Sequence, residues 1–140
     1  MSLFNVMDIS STGMHAESVR LNTTASNIAN ANTVSSSYGD TYKARHPVFS
    51  TSLNEANDKQ TKGAGVRVLG IVESERPLQI EYAPHNPMAD ENGYIYKPNV
   101  NIVEEMADMM SASKAYETNV QVADTTKQIF RRVLQLGQSR

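Results

Sequence analysis

The chain has no cysteine among its 140 residues, so neither a disulfide framework nor a thiolate metal site is open to it. Its 13 basic and 15 acidic residues leave a net charge of −2, without the basic face that nucleic acid demands. Lysine and arginine are scattered rather than clustered, which argues against an electrostatic footprint on a membrane. No stretch approaches the roughly 18 apolar residues of a transmembrane helix, so direct membrane insertion is not expected. The opening residues, MSLFNVMDISSTG, have no basic n-region and no apolar core of about seven residues, which argues against a cleaved secretory signal.

Catalytic signatures are equally scarce. His15, His46 and His85 lie far apart, each without a second His or a Cys nearby in sequence. Asp90-Glu91-Asn92-Gly93 lacks the spacing and closing glutamate of a calcium loop and reads as a turn. Gly63-Ala64-Gly65 runs into a strand pattern, whereas a phosphate cradle needs a helix N-terminus there. No G-x-S-x-G elbow marks a hydrolase. The expectation is a protein that is no enzyme and holds no cofactor or metal.

What is present is helical periodicity at both ends. Ile102, Met106, Met109, Ser113, Tyr116, Val120, Ala123, Lys127, Phe130 and Leu134 alternate spacings of four and three, the seam of a helix that supercoils against a partner. Eight of these ten are apolar, where the overall composition of 39% predicts about four. No Gly or Pro falls between Pro98 and Gly137, and Asn101 followed by Glu104 is a capping-box pattern. Such a helix extends roughly 55 Å, longer than a compact domain of this size buries, so it calls for a partner.

Residues 1–37 contain 17 Ser, Thr or Asn and only three charges, Asp8, Glu17 and Arg20. Met7, Met14, Leu21 and Ile28 recur every seven residues, with Ser11, Ser18 and Ala25 between them, which predicts a helix ending near Asn30 or Asn32. Its uncharged polar face suits burial against protein, at a cost that a Lys or Glu face does not permit. The middle reads as a linker over 33–41, strands over 42–49, 66–73, 78–82 and 94–96, and a polar loop over 51–65. The predicted fold is α+β: long terminal helices paired as an antiparallel coiled coil (1–34 plus 99–140), with a small β module and its linker at 35–98.

Ala25 to Thr33 (ASNIANANT), including Asn27, Ala29, Asn30 and Thr33, resembles the N-terminal signature of the axial proteins of the bacterial flagellum. Residues 66–79, then Pro87, Asp90, Gly93, Tyr94, Pro98, Asn99, Asn101, Glu104 and Glu105, are similar to the corresponding block of a proximal-rod member. Ala115 to Asn119 (AYETN) is similar to the C-terminal helix of the same family. Ser35-Ser36-Ser37 departs from the pattern, in which many relatives carry a glycine.

The resemblance implies a structural subunit exported through the flagellar type III apparatus and polymerised in the periplasm with copies of itself and other rod proteins. In such a tube the paired terminal helices line the inner wall and the β module contacts neighbours. The rival reading is a cytosolic coiled-coil adaptor, favoured mildly by Lys127 at a seam position.

Overall fold

A computed structural model describes residues 2–53 and 64–138. Helix α1 spans Leu3–Asn30 and helix α2 spans Ile102–Gln138. Between them come β1 (Arg45–Leu53), β2 (Ala64–Glu73), β3 (Gln79–Tyr82) and β4 (Tyr94–Lys97). β1 pairs with β2, while β3 and β4 form an antiparallel pair running from Gln79 opposite Lys97 to Tyr82 opposite Tyr94. The fold is α+β.

Several strand boundaries differ from expectation. The expected strand start at Tyr42 gives way to a start at Arg45, and the Ala44 N–H just before it bonds the Asn99 side chain. The expected loop at 51–65 is shorter, since β1 runs through Leu53 and β2 begins at Ala64; its centre lies outside the described residues. The early start of β2 depends on Gly65, where a Cβ would lie 2.9 Å from Thr12 Oγ1. Thr12 Oγ1 also accepts the Val66 N–H at 3.2 Å, which seats the strand on α1.

The helix ends have identifiable causes. Ser2 caps α1 by accepting the Asn5 N–H. No left-handed cap forms at Asn30 or Asn32, as no described non-glycine residue has positive φ. Thr33 closes the helix in its place, its N–H and hydroxyl both donating to the Asn30 carbonyl. Asn101 caps α2 by accepting the Val103 N–H at 3.1 Å. Glu104 pairs with Arg76 at 2.9 Å, so the cap holds although the acidic member of the predicted box turns outward.

The packing resolves into two compact units. One comprises residues 1–19, 48–70 and 111–140, the other 20–47 and 71–110. In the first, Phe4 and Phe130 meet edge to face at 5.5 Å, and a Cβ at Gly13 would come within 2.8 Å of Asn119 Nδ2. Gly13 therefore permits a close helix approach that alanine obstructs.

The second unit has a small core of Ala44, Leu78, Ile95 and Val100 around fully buried Pro98. Burying Leu78 and Ile95 contributes roughly 1.5–3 kcal/mol each. Asn99 Oδ1 accepts the Ala44 N–H, and its Nδ2 donates to the Ser74 and Arg76 carbonyls. The linker joins this unit as well: Ser35 exchanges both backbone hydrogen bonds with Tyr96.

Candidate functional site

The two features that stand out are the rows of buried side chains on the helices and a buried polar cluster. On α1 the buried positions are Ser10, Ala16, Thr23, Thr24 and Asn27; on α2 they are Glu105, Ala112 and Thr126. The uncharged face of α1 is thus packed rather than solvated. Hydroxyls reach these positions cheaply because they bond their own helix: Ser10 donates to the Val6 carbonyl and Thr126 to the Val122 carbonyl.

Asn27 is the centre of the polar cluster and is completely buried. Its Nδ2 donates to the Arg45 carbonyl at 2.8 Å and to Glu105 Oε1 at 2.9 Å. Its Oδ1 accepts the Arg45 N–H at 2.9 Å and the Tyr42 hydroxyl at 2.8 Å. All four bonding positions of the amide are used, so one side chain ties α1, α2 and the first residue of β1 together. Burial pushes the Tyr42 hydroxyl above its ordinary pKa; the Arg45 guanidinium opposes that shift, and Glu105 and Glu73 add to it. Two turns earlier on α1, Arg20 bonds Asp108 at 2.6 Å.

This cluster draws on residues from both ends of the chain that carried the sequence resemblance, and comparison with known proteins meets the same stretches. Residues 7–34 match the family model described as "Flagella basal body rod protein". Residues 91–136 match "Flagellar basal body rod FlgEFG protein C-terminal". The flagellar basal-body rod protein FlgC of Salmonella typhimurium is 43% identical over 138 residues, covering 99% of this chain and the whole of that protein. FlgC of Borreliella burgdorferi is 36% identical over 151 residues, covering 99% of each chain. FlgC of Aquifex aeolicus is 38% identical over 135 residues, covering 96% of this chain and 97% of that protein. The chain belongs to the FlgC family.

The residues shared with the FlgC pattern have local work to do. Asn27 and Glu105 meet in the cluster; Asn30 and Thr33 close α1; Pro98 and Asn99 sit in the core of the second unit; Asn101 caps α2; Glu104 pairs with Arg76. Asp90 builds the turn before β4, its Oδ1 accepting the Asn92 and Tyr94 N–H groups. Gly93 completes that turn at φ +82°, where a Cβ would strike Tyr82. Tyr94 packs edge to face on Tyr82. Ala29 and Pro87 are exposed.

The seam expected on α2 is buried only in part within the chain, with Phe130 meeting Phe4. The most buried row lies one position earlier, through Glu105, Ala112, Asn119 and Thr126. Of the expected seam, Ile102, Met109, Val120 and Ala123 are half-buried, while Met106, Tyr116, Phe130 and Leu134 are exposed. On α1, Met14, Leu21 and Ile28 are half-buried, and Met7 and Ala25 are exposed. The buried positions of both helices are held mostly by small residues, and the bulky ones stand beside them. Sequence reasoning missed Tyr42, Arg45 and the Arg20–Asp108 pair. Arg20 was the one available hint, a lone cation in an otherwise uncharged stretch of α1.

Proposed function

We propose that the protein is a structural subunit of the flagellar basal-body rod that polymerises with copies of itself and other rod proteins into a helical tube. The tube transmits torque and encloses the export channel. FlgC-family membership places the protein among structural rod components of the flagellar basal body, not among enzymes. Export from the cytoplasm to the periplasmic rod through the flagellar type III apparatus, without a cleaved signal, is the route that the resemblance implies.

The observation that carries the mechanical reading is the bulky stripe of α2. Met106 is 54% exposed, Tyr116 39% and Leu134 51%, so part of the apolar surface expected to meet a partner is still available after the chain has folded. Neighbouring subunits would bury it at about 25 cal/mol per Å². The pairing of the terminal helices as an antiparallel coil has support from four contacts, Phe4 with Phe130, Gly13 with Asn119, Arg20 with Asp108 and Asn27 with Glu105. As the α1 position advances, its partner on α2 retreats. In this reading residues 1–34 and 99–140 form the inner tube, and 35–98 faces outward.

Replacing an exposed stripe residue separates assembly from folding. Leu134→Asp and Met106→Asp are expected to leave the melting temperature of the purified chain unchanged and to abolish rod formation, because each buries an unpaired carboxylate at a subunit contact. Full motility with both changes in place rules out the stripe as the assembly face. The adaptor reading has no observation in its favour beyond Lys127, which is exposed.

A further inference from the structure

We infer that Asn92-Gly93 is a site of spontaneous deamidation that the folded turn holds shut, so that it reacts while the chain is unfolded and is spared while it is folded.

Of the asparagines in the chain, only Asn92 is followed by glycine. That pairing is chemically weak, because asparagine is thermolabile and glycine has no Cβ to shield its own amide nitrogen. Once the Gly93 nitrogen loses its proton to solvent base, it attacks Asn92 Cγ. A nitrogen–carbon bond forms, the Cγ–Nδ2 bond breaks, and Nδ2 takes a proton from water and leaves as ammonia. Water then opens the five-membered succinimide at one or the other carbonyl. The net change is the gain of one water and the loss of one ammonia, with no oxidant or reductant. The products are aspartate and isoaspartate, and in the second the backbone runs through the side-chain methylene.

The turn blocks this attack in two ways. The Asp90 carbonyl accepts the Gly93 N–H at 3.0 Å, so the attacking nitrogen is tied and keeps its proton. That bond, with no cis peptide and no positive φ at Glu91 or Asn92, fits a type I turn with Asn92 at its third position. At that position ψ is about 0°. The Gly93 nitrogen then eclipses the Asn92 nitrogen and lies a third of a turn away from Cβ, through which the five-membered ring must close.

Asp90 fixes this conformation. Its Oδ1 accepts the Asn92 N–H at 2.9 Å and the Tyr94 N–H at 2.8 Å, and its backbone N–H donates to the Tyr94 carbonyl at 2.8 Å. Asn92 itself is exposed, so water is at hand and conformation alone withholds the reaction.

Both products work against re-forming the turn. Aspartate at position 92 makes a third acidic residue in a row after Asp90 and Glu91. Isoaspartate lengthens the backbone between the two N–H groups that Asp90 Oδ1 holds, and so displaces Tyr94 from its place opposite Tyr82. The reaction therefore marks chains by the time they have spent unfolded.

The test uses the full-length chain, one sample folded in buffer and one unfolded in guanidinium chloride, both at the same mildly alkaline pH. Peptide mass spectrometry reads conversion of Asn92, and an isoaspartate methyltransferase assay reads the isomer. In the unfolded sample Asn92 is expected to convert before any other asparagine. In the folded sample it is expected to convert at least about tenfold more slowly, as for a reaction that waits on local opening. The Gly93 amide of the folded chain is expected to exchange slowly with solvent. Asp90→Ala is expected to bring the folded rate close to the unfolded one, with circular dichroism showing that the helices persist. Asp90→Asn, which keeps the acceptor oxygen, is expected to stay protected. An unfolded chain that converts first at other asparagines overturns the site. Equal rates in the folded and unfolded parent, rapid exchange of the Gly93 amide, or an Asp90→Asn chain that reacts as fast as the unfolded one overturns the protection. A folded Asp90→Ala chain that keeps the parental rate overturns the part given to Asp90.

Discussion

Removing the Asn27 amide tests the polar cluster most directly. Asn27→Ala strips the donor from Glu105 Oε1, the acceptor from the Arg45 N–H and the Tyr42 hydroxyl, and the donor from the Arg45 carbonyl. Each buried group left unsatisfied costs about 1–3 kcal/mol, and the two groups nearest the centre alone bring the loss to roughly 4 kcal/mol. That is a large part of the 5–15 kcal/mol that typically holds a domain together. At about 3 °C per kcal/mol for a chain of this size, melting falls by roughly 12 °C. Asn27→Asp sharpens the test because its shape is nearly the same. It keeps the acceptor for Arg45 and Tyr42, but it sets a second carboxylate oxygen about 2.9 Å from Glu105 Oε1. The folded state then favours a protonated carboxyl, so its stability is present at low pH and is lost as pH rises through the raised value. Urea unfolding followed by circular dichroism at pH 5 and pH 7 reads both effects. A loss below 1 kcal/mol in Asn27→Ala, or a pH response in Asn27→Asp equal to that of Asn27→Ala, refutes the account of the cluster.

Other consequences follow from the same geometry. Because the folded state raises the Tyr42 pKa, it favours the neutral phenol; that stability is present below the unfolded value near 10 and fades as pH rises toward the folded one. Tyr42→Phe is expected to cost about 1 kcal/mol at pH 7 and to flatten the alkaline limb of a stability–pH curve. Gly13→Ala gains about 1 kcal/mol of helix propensity but drives a methyl against Asn119, so its benefit is expected only in an Asn119→Ala background. A double-mutant cycle by urea unfolding checks this, and additivity within about 0.3 kcal/mol contradicts it. The last turns of α2 run past the Phe4–Phe130 contact, and Val133, Leu134 and Leu136 are exposed there. Their amides are expected to exchange rapidly in the free chain and slowly in assembled rods, as read by hydrogen exchange and mass spectrometry.

Both long helices, their approximate ends, and the places of all four strands were legible in the sequence. They follow from local causes: heptad spacing, the cap at Asn101, turn residues at Asp90 and Gly93, and the absence of Gly and Pro from most of α2. The FlgC pattern was legible for a related reason, since its residues do local work in caps, turns and a tight core. The uncharged face of α1 also signalled burial correctly, because Ser and Thr can satisfy themselves on their own helix.

Which face of α2 turns inward was not legible. Periodicity ranks faces by apolar content, and that ranking picked Met106, Tyr116, Phe130 and Leu134. Burial falls instead on Glu105, Ala112 and Thr126, which are small or, as Glu105 does with Asn27, bond to a distant part of the chain. That preference depends on what stands opposite, and the opposite residues lie about a hundred positions away at the other end of the chain. The amino-acid order settled where helices and strands form; only the folded chain decided that a buried amide and a buried carboxylate would face each other and leave the apolar stripe outside.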